Sequence, residues 1–456
     1  MSKVIKNPRN GCALHGALQT VQEIEGVVPV VHANAGCGVI NYLADKTLGT
    51  GEGRYSGFAI PGTTVQERHV IFGGASRLRE QIKNTIKVVN GQLFVVLNSC
   101  ESAMVGDDVD AMTREIVEQH EPVVNTLVAG FNGGTHYGYE RVIADILKSI
   151  DDVKNTTKKT DAKLVNIFGI IPGKDPFWQG NLEEIKRILE GVGLKANLFF
   201  GVYGQAADLE NAKNAAVSIV FSRWGELPAK VLKDNHNVPF IIEQALPANF
   251  SEERQLLGKL VDYADIDETA IDGFIKAEEA YEKNYLSRIR NDIFELNPGR
   301  RAVLVGDEEQ VIRYGKILKR TFGIKAYGAV ITDANRKDEE HITDNTDLLK
   351  EIAEDFNITS DQKDIDDIIR RSGADIIIGS SLEKTSAEKL GASLIEVSYP
   401  IYHKSILNQP TAGVRGQIRF VQEYISVIKS NDIKKKVELK NVLYTTDLFG
   451  KILSSY

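Results

Sequence analysis

The only three thiols of the chain, Cys12, Cys37 and Cys100, all sit where the residue pattern predicts that a helix begins. Cys12 precedes Ala13-Leu14-His15-Gly16-Ala17-Leu18, in which Leu14, Leu18 and Val21 recur at helical spacing. Cys37 lies in Ala33-Asn34-Ala35-Gly36-Cys37-Gly38, between an expected strand Val27–His32 and an expected helix from Val39. Cys100 follows an expected strand Leu93–Leu97 through Asn98-Ser99 and precedes a helix expected over Asp107–His120. Two of the three thus fall at the carboxyl ends of strands, where an open parallel sheet places its ligands. A helix start carries partial positive charge, which favours the thiolate, the form that binds metal. Gly36 and Gly38 allow a bulky inorganic group close to the backbone, and their N–H groups can donate to sulfide. A single cysteine is more often a buried small hydrophobe than a ligand; it is the repetition of one context three times that argues for chemistry. His15, His32 and His69 form no recognised pattern with a nucleophilic cysteine. A cubane iron–sulfur cluster takes four protein ligands, so three cysteines leave it one short and point to completion by another subunit.

The elements that must position these residues read as three α/β blocks. Short β-branched runs alternate with helical stretches, the pattern of parallel sheets covered on both faces. The first block holds Val27–His32, Leu93–Leu97 and Asn125–Ala129. After a lysine-rich linker at Asp152–Lys163, the second holds Leu164–Ile171, a helix over Leu182–Glu190, and strands Ala196–Phe200, Val217–Phe221 and Pro239–Ile242. A long amphipathic stretch, Ser251–Leu296, ends at Asn297-Pro298-Gly299. The third block holds Ala302–Val305, a helix through Leu318, and strands Ala326–Ile331, Asp375–Ile378 and Leu394–Val397. Three domains are expected, over residues 1–155, 156–298 and 299–456.

Composition narrows the function. Net charge is −8 and the pI about 5.7, against a nucleic-acid or anionic-membrane partner. No apolar run approaches the roughly 18 residues of a membrane helix. The first residues lack a secretory apolar region, so a cytoplasmic protein is expected. No Gly-x-x-x-x-Gly-Lys-Ser/Thr occurs, and the glycines at 51, 53 and 57 do not directly follow a strand, so neither ATP nor NAD is expected to bind this chain.

With 24 and 62 residues between them, Cys12, Cys37 and Cys100 resemble the cluster-binding cysteines of nitrogenase component 1 subunits. Around them, Asn7-Pro8-Arg9-Asn10-Gly11-Cys12, His32-Ala33-Asn34-Ala35-Gly36-Cys37-Gly38, Val70-Ile71-Phe72-Gly73-Gly74 and the run from Cys100 to Asp108 are similar to that family's signature segments. Gly299–Asp307 resembles the start of its third domain. Ser398–His403 with Gly413-Val414-Arg415-Gly416 resembles the β-type subunit of the molybdenum–iron protein rather than the α-type. The resemblance implies three Rossmann-like α/β domains with parallel sheets. It also implies an iron–sulfur cluster shared between subunits, either a P-cluster (8Fe-7S) or a 4Fe-4S cluster, held here by Cys12, Cys37 and Cys100. An α-like partner, giving α2β2, or a second copy of the chain would complete the site, and a separate ATP-dependent iron protein would deliver electrons.

Departures from the pattern narrow this further. An α-type subunit holds the catalytic cofactor with a later Cys and His; no cysteine follows Cys100, and His403 lies in a β-like context that makes it a loop histidine. In the segment Phe131–Gly138 the position similar to a serine near the P-cluster is Gly134, with Thr135 adjacent, so redox-switchable ligation is not implied. Gly106-Asp107-Asp108 reads as a helix N-terminal signal. Three alternatives stay open: a scaffold for cofactor assembly, a related reductase of a tetrapyrrole or thioether, and a cluster-free α/β small-molecule-binding protein with inert cysteines.

Overall fold

The computed structural model describes residues 9–39, 60–150, 160–296, 299–333 and 345–445. Asn7, Pro8, the glycines at 51–57, residues 152–159 of the expected linker, and Asn297-Pro298 lie outside the described residues. Among the described residues, twelve strands form three all-parallel sheets. The first is β1 (Val27–His32), β2 (Leu93–Asn98) and β3 (Val123–Thr126), in that order. The second has β4 (Asp161–Phe168), β5 (Lys195–Asn197), β6 (Ala215–Val220) and β7 (Phe240–Ile242) in the order β5-β4-β6-β7. The third has β8 (Ala302–Gly306), β9 (Ala326–Ile331), β10 (Ala353–Ile358), β11 (Ile376–Gly379) and β12 (Ser393–Glu396) in the order β10-β9-β8-β11-β12.

Central strands such as β6 and β8 are buried along their whole length, as helices on both faces require. Edge strand β1 is equally buried yet contains Pro29. The Val31 N–H points away from β2, to the Pro61 carbonyl, and Pro29 shares its parity, so the missing donor falls on the side the β2 ladder does not use. Most expected strands lie within a few residues of their observed bounds. The strand expected at Asn125–Ala129 lies earlier, at Val123–Thr126, and β4 begins at Asp161, inside the expected linker. The stretch expected from Ser251 to Leu296 is interrupted: helices Phe250–Leu260 and Glu268–Leu286 are separated at Asp267, whose carboxylate caps the second through Thr269 N at 2.9 Å.

One apolar core runs continuously through the first and second sheets, from Leu14 and Val31 to Phe168 and Ile188, while the third sheet has separate cores on its two faces. The joint between the first two is a crossing of helices Ala13–Gln22 and Thr135–Ser149. Gly16 and Gly138 make it possible: a Cβ on Gly16 would fall 1.9 Å from the Thr135 carbonyl oxygen, and one on Gly138 would fall 2.0 Å from that of Ala13. The crossing sets the N-termini of both helices side by side, with Ala13 N–H donating to the Gly133 carbonyl at 2.9 Å.

Behind the second sheet, Glu184, Glu253 and Glu278 are buried together. Arg187 pairs with Glu184 at 2.7 Å and with Glu278 at 2.9 Å. Glu253 Oε1 accepts Val414 N–H at 2.9 Å, and Oε2 has no hydrogen-bond partner among the described residues. Burial pushes the Glu253 carboxyl up to about 8 from its ordinary 4.5. Folding therefore binds a proton between those two values, and stability contributed below pH 4.5 is lost as pH rises towards 8. Glu253→Gln mimics the protonated form. It is expected to raise Tm by several degrees at pH 8 and to change it little at pH 5, read by calorimetry at the two pH values.

Candidate functional site

The three cysteines open three different helices on one side of the first sheet. Cys12 occupies the N-cap position of Ala13–Gln22 in extended backbone. Cys37 lies in the first turn of a helix over 35–39, whose start is capped by Asn34: its Oδ1 accepts Gly36 N–H at 2.8 Å and Cys37 N–H at 3.3 Å. This helix starts four residues earlier than expected because the Asn34 cap outranks the glycines as a boundary signal. Cys100 is the first residue of Cys100–Val105, capped by Ser99.

The geometry brings Cys12 and Cys100 together around Gly130. A Cβ on Gly130 would lie 3.0 Å from Cys100 Sγ and 3.2 Å from Cys12 Sγ, so the two sulfurs flank one point, and Gly130 N–H donates to Cys100 Sγ at 3.1 Å. Cys37 is tied to Cys12 through His15, whose Nδ1 lies 3.2 Å from Cys12 Sγ and whose Nε2 lies 3.3 Å from the Cys37 carbonyl oxygen. Burial pushes the Cys12 thiol up, but the hydrogen bond and charge of His15 outweigh it and hold it below its ordinary value. Burial raises the Cys37 thiol, and the negative charges of Cys12, Glu101 and Cys100 raise it further. The Cys37 thiol therefore feels the charge of the other two sulfurs, which a positively charged inorganic centre would relieve.

Glu101 braces this arrangement. Its carboxylate accepts Asn34 Nδ2–H at 2.6 Å and Asn34 N–H at 3.2 Å, fastening the Cys37 turn to the Cys100 helix. Gly36 N–H is committed to the Asn34 cap rather than turned to a ligand, whereas a Cβ on Gly38 would meet nothing within 4 Å. Gly134 is the N-cap of Thr135–Ser149 and bridges Cys12 across the strand-like turn. Asp108 caps Val109–Val117 as expected, but Asp107 does not; it holds His32 Nε2 at 2.8 Å and Gly74 N–H at 2.6 Å. Burial keeps His32 below its ordinary pKa, and Asp107 only partly offsets this. His403 lies in a loop remote in sequence, with Nδ1 2.6 Å from Glu396. Reading the sequence missed His15, Glu101 and Gly130. Only His15 carried a local signal, its three-residue spacing from an N-cap cysteine.

The site opens outward. Cys100 is exposed and Cys12 and Cys37 are half-buried. Large apolar side chains flank them in the open: Phe72 is 85% exposed, Met104 81% and Ile71 72%, with Val39, Val70 and Phe131 alongside. Helix Glu67–Phe72 buries none of its own residues and packs against Cys100–Val105.

The fold and the site define a three-sheet parallel α/β protein with a cysteine trio on an apolar outer face. The chain belongs to the nitrogenase component 1 type oxidoreductase family, whose model matches residues 12–429. It is 22% identical to the nitrogenase molybdenum–iron protein beta chain of Methanothermobacter thermautotrophicus over 93% of this chain and 95% of that one. It is 23% identical to the nitrogenase iron–molybdenum cofactor biosynthesis protein NifE of Clostridium pasteurianum, over 92% and 88%. The solved structure of nitrogenase Cp1 at pH 6.5 shares the fold with a TM-score of 0.77, 20% identity and 94% of each chain covered. Among the described residues no helix is long and apolar enough to cross a membrane.

Proposed function

We propose that this chain is the β-like subunit of a cytoplasmic nitrogenase or nitrogenase-like reductase and that Cys12, Cys37 and Cys100 hold an iron–sulfur cluster shared with an α-like partner. The observation that supports this reading is the meeting of the Cys12 and Cys100 sulfurs at Gly130, with Cys37 joined to Cys12 through His15, beside exposed apolar side chains. A contiguous exposed apolar surface of this kind marks an interface, and three ligands where a cluster needs four leave room for the partner's. Bound there, the cluster supplies one-electron storage and transfer, with electrons from an ATP-dependent iron protein. The chain's own contributions are positional and electrostatic. His15 favours the Cys12 thiolate, Gly130 N–H donates to the Cys100 sulfur, and Glu101 fixes the Cys37 turn. The P-cluster and the 4Fe-4S form are both compatible with this donor set.

Anaerobic co-expression with the candidate α-like chain, followed by iron counting and electron paramagnetic resonance of the isolated complex, tests the proposal. A colourless, iron-free complex would sink it. Similarity to NifE favours a second reading, a scaffold for cofactor assembly; a complex that hands its cluster to an acceptor but turns over no substrate would select it. The interface half of the proposal is tested separately. Ile71→Asp places a charge in the apolar face of a helix with no buried side chain. It is expected to weaken partner capture by about tenfold or more while leaving Tm unchanged, measured by size-exclusion chromatography and calorimetry.

A further inference from the structure

The segment that delivers Cys12 is fastened to the third sheet rather than to its own. Arg9, three residues before Cys12, is 5% exposed. Its Nη1 donates to Ser380 Oγ at 2.8 Å and to the Tyr399 carbonyl at 3.0 Å, and its Nη2 donates to Gln362 Oε1 at 3.3 Å and to Glu383 Oε1. Asn10 Nδ2 donates to the Thr332 carbonyl at 3.4 Å. Thr332, Ser380 and Tyr399 follow the carboxyl ends of β9, β11 and β12, so the two residues ahead of Gly11 lie across three strand ends of a sheet more than 290 positions away. The acceptors are themselves fixed: Glu383 Oε2 accepts Ser380 N–H at 2.6 Å and Ser380 Oγ–H at 2.7 Å. Tyr399 also meets the loop that follows β4, with Lys174 Nζ 3.5 Å from the centre of its ring.

Only Asn10 and Gly11 separate this anchor from Cys12, so the chain between them spans at most about 10 Å and cannot absorb a displacement of the anchor. On its other side Cys12 is held by the Ala13–Gly133 hydrogen bond. A buried guanidinium in a fork of oxygen acceptors is a stiff joint, because removing one partner strands a charge away from water. We infer that Arg9 is a positioning residue that makes the placement of the Cys12 thiol depend on the seating of the third sheet against the first. This rests on the cluster reading only in giving the placement of Cys12 a purpose.

The test uses no iron, so its failure is distinguishable from failure of that reading. The full chain, purified anaerobically with chelator, is treated with iodoacetamide, and the rates at Cys12, Cys37 and Cys100 are followed by peptide mass spectrometry. Arg9→Gln is expected to raise the Cys12 rate relative to Cys100 by about fivefold or more while the Cys37 to Cys100 ratio stays fixed. Arg9→Lys, which keeps the charge and loses the fork, is expected to fall between. A purely structural role would loosen all three thiols together, and that result, or an unchanged Cys12 ratio, overturns the inference. Should Arg9→Gln not fold, Arg9→Lys decides: loss of hydrogen-exchange protection confined to residues 10–14 supports positioning, and unchanged protection there refutes it.

Discussion

Replacing Cys37 by alanine is expected to lower the iron content of the anaerobically isolated complex by about tenfold or more and to loosen subunit pairing. The expected loss is large because Cys37 stands on a turn built for it: Asn34 caps the turn and Glu101 clamps Asn34. Neither support involves the sulfur, so the turn survives the substitution. The side chain is half-buried, and its removal leaves only a small cavity, so Tm should move little. Iron analysis and calorimetry on one preparation separate the two effects. Full iron content in the variant would show that the sulfur is not a ligand.

Gly16→Ala is the second large effect, on stability. Alanine normally stabilises a helix interior relative to glycine by about 0.5–1 kcal/mol. At Gly16 that gain is overwhelmed, because the added carbon would lie 1.9 Å from a backbone carbonyl that cannot rotate away. Forcing the two helices apart is expected to cost about 3 kcal/mol or more, a fall in Tm of about 3–5 °C for a chain of this length. Gly273 is the control: it lies within Glu268–Leu286, and a Cβ there would meet nothing within 4 Å, so Gly273→Ala should be neutral or slightly stabilising. The same separation would shift Cys12 away from Gly130, so the Gly16 variant should also lose iron at temperatures where it remains folded. A Gly16 variant as stable as Gly273→Ala would show that the crossing is looser than the close approach implies.

How far the sequence discloses this protein depends on where each signal resides. β1 and β9 were legible at their observed bounds because each is a compact β-branched or small-residue run flanked by turn residues. β10 was not: Ala-Glu-Asp-Phe-Asn-Ile at a sheet edge is half polar, and its pairing with β9 is a long-range fact. Helix Gly413–Thr445 was also missed, since it opens on glycines and its apolar positions Phe420, Val421, Tyr424, Ile425 and Ile428 become a stripe only once the third sheet is there to receive them. Within the candidate site the cysteines stand out in the sequence by type and context. Gly130 and Glu101 do not, because a backbone N–H aimed at sulfur and a carboxylate bracing a neighbouring turn leave no mark in local spacing. Arg9 was visible within a signature segment, but nothing nearby told that its partners lie beyond residue 360.

The outward orientation of Cys100 carries a consequence for handling and for life in the cell. A thiol in the open can be alkylated, oxidised to sulfenic acid, or joined to the same residue of another molecule. Bare aromatic and aliphatic side chains next to it add a pull toward indiscriminate sticking. Left by itself, the polypeptide is thus at its most perishable on the face that carries its three cysteines, and early pairing during biogenesis would shield both weaknesses at once.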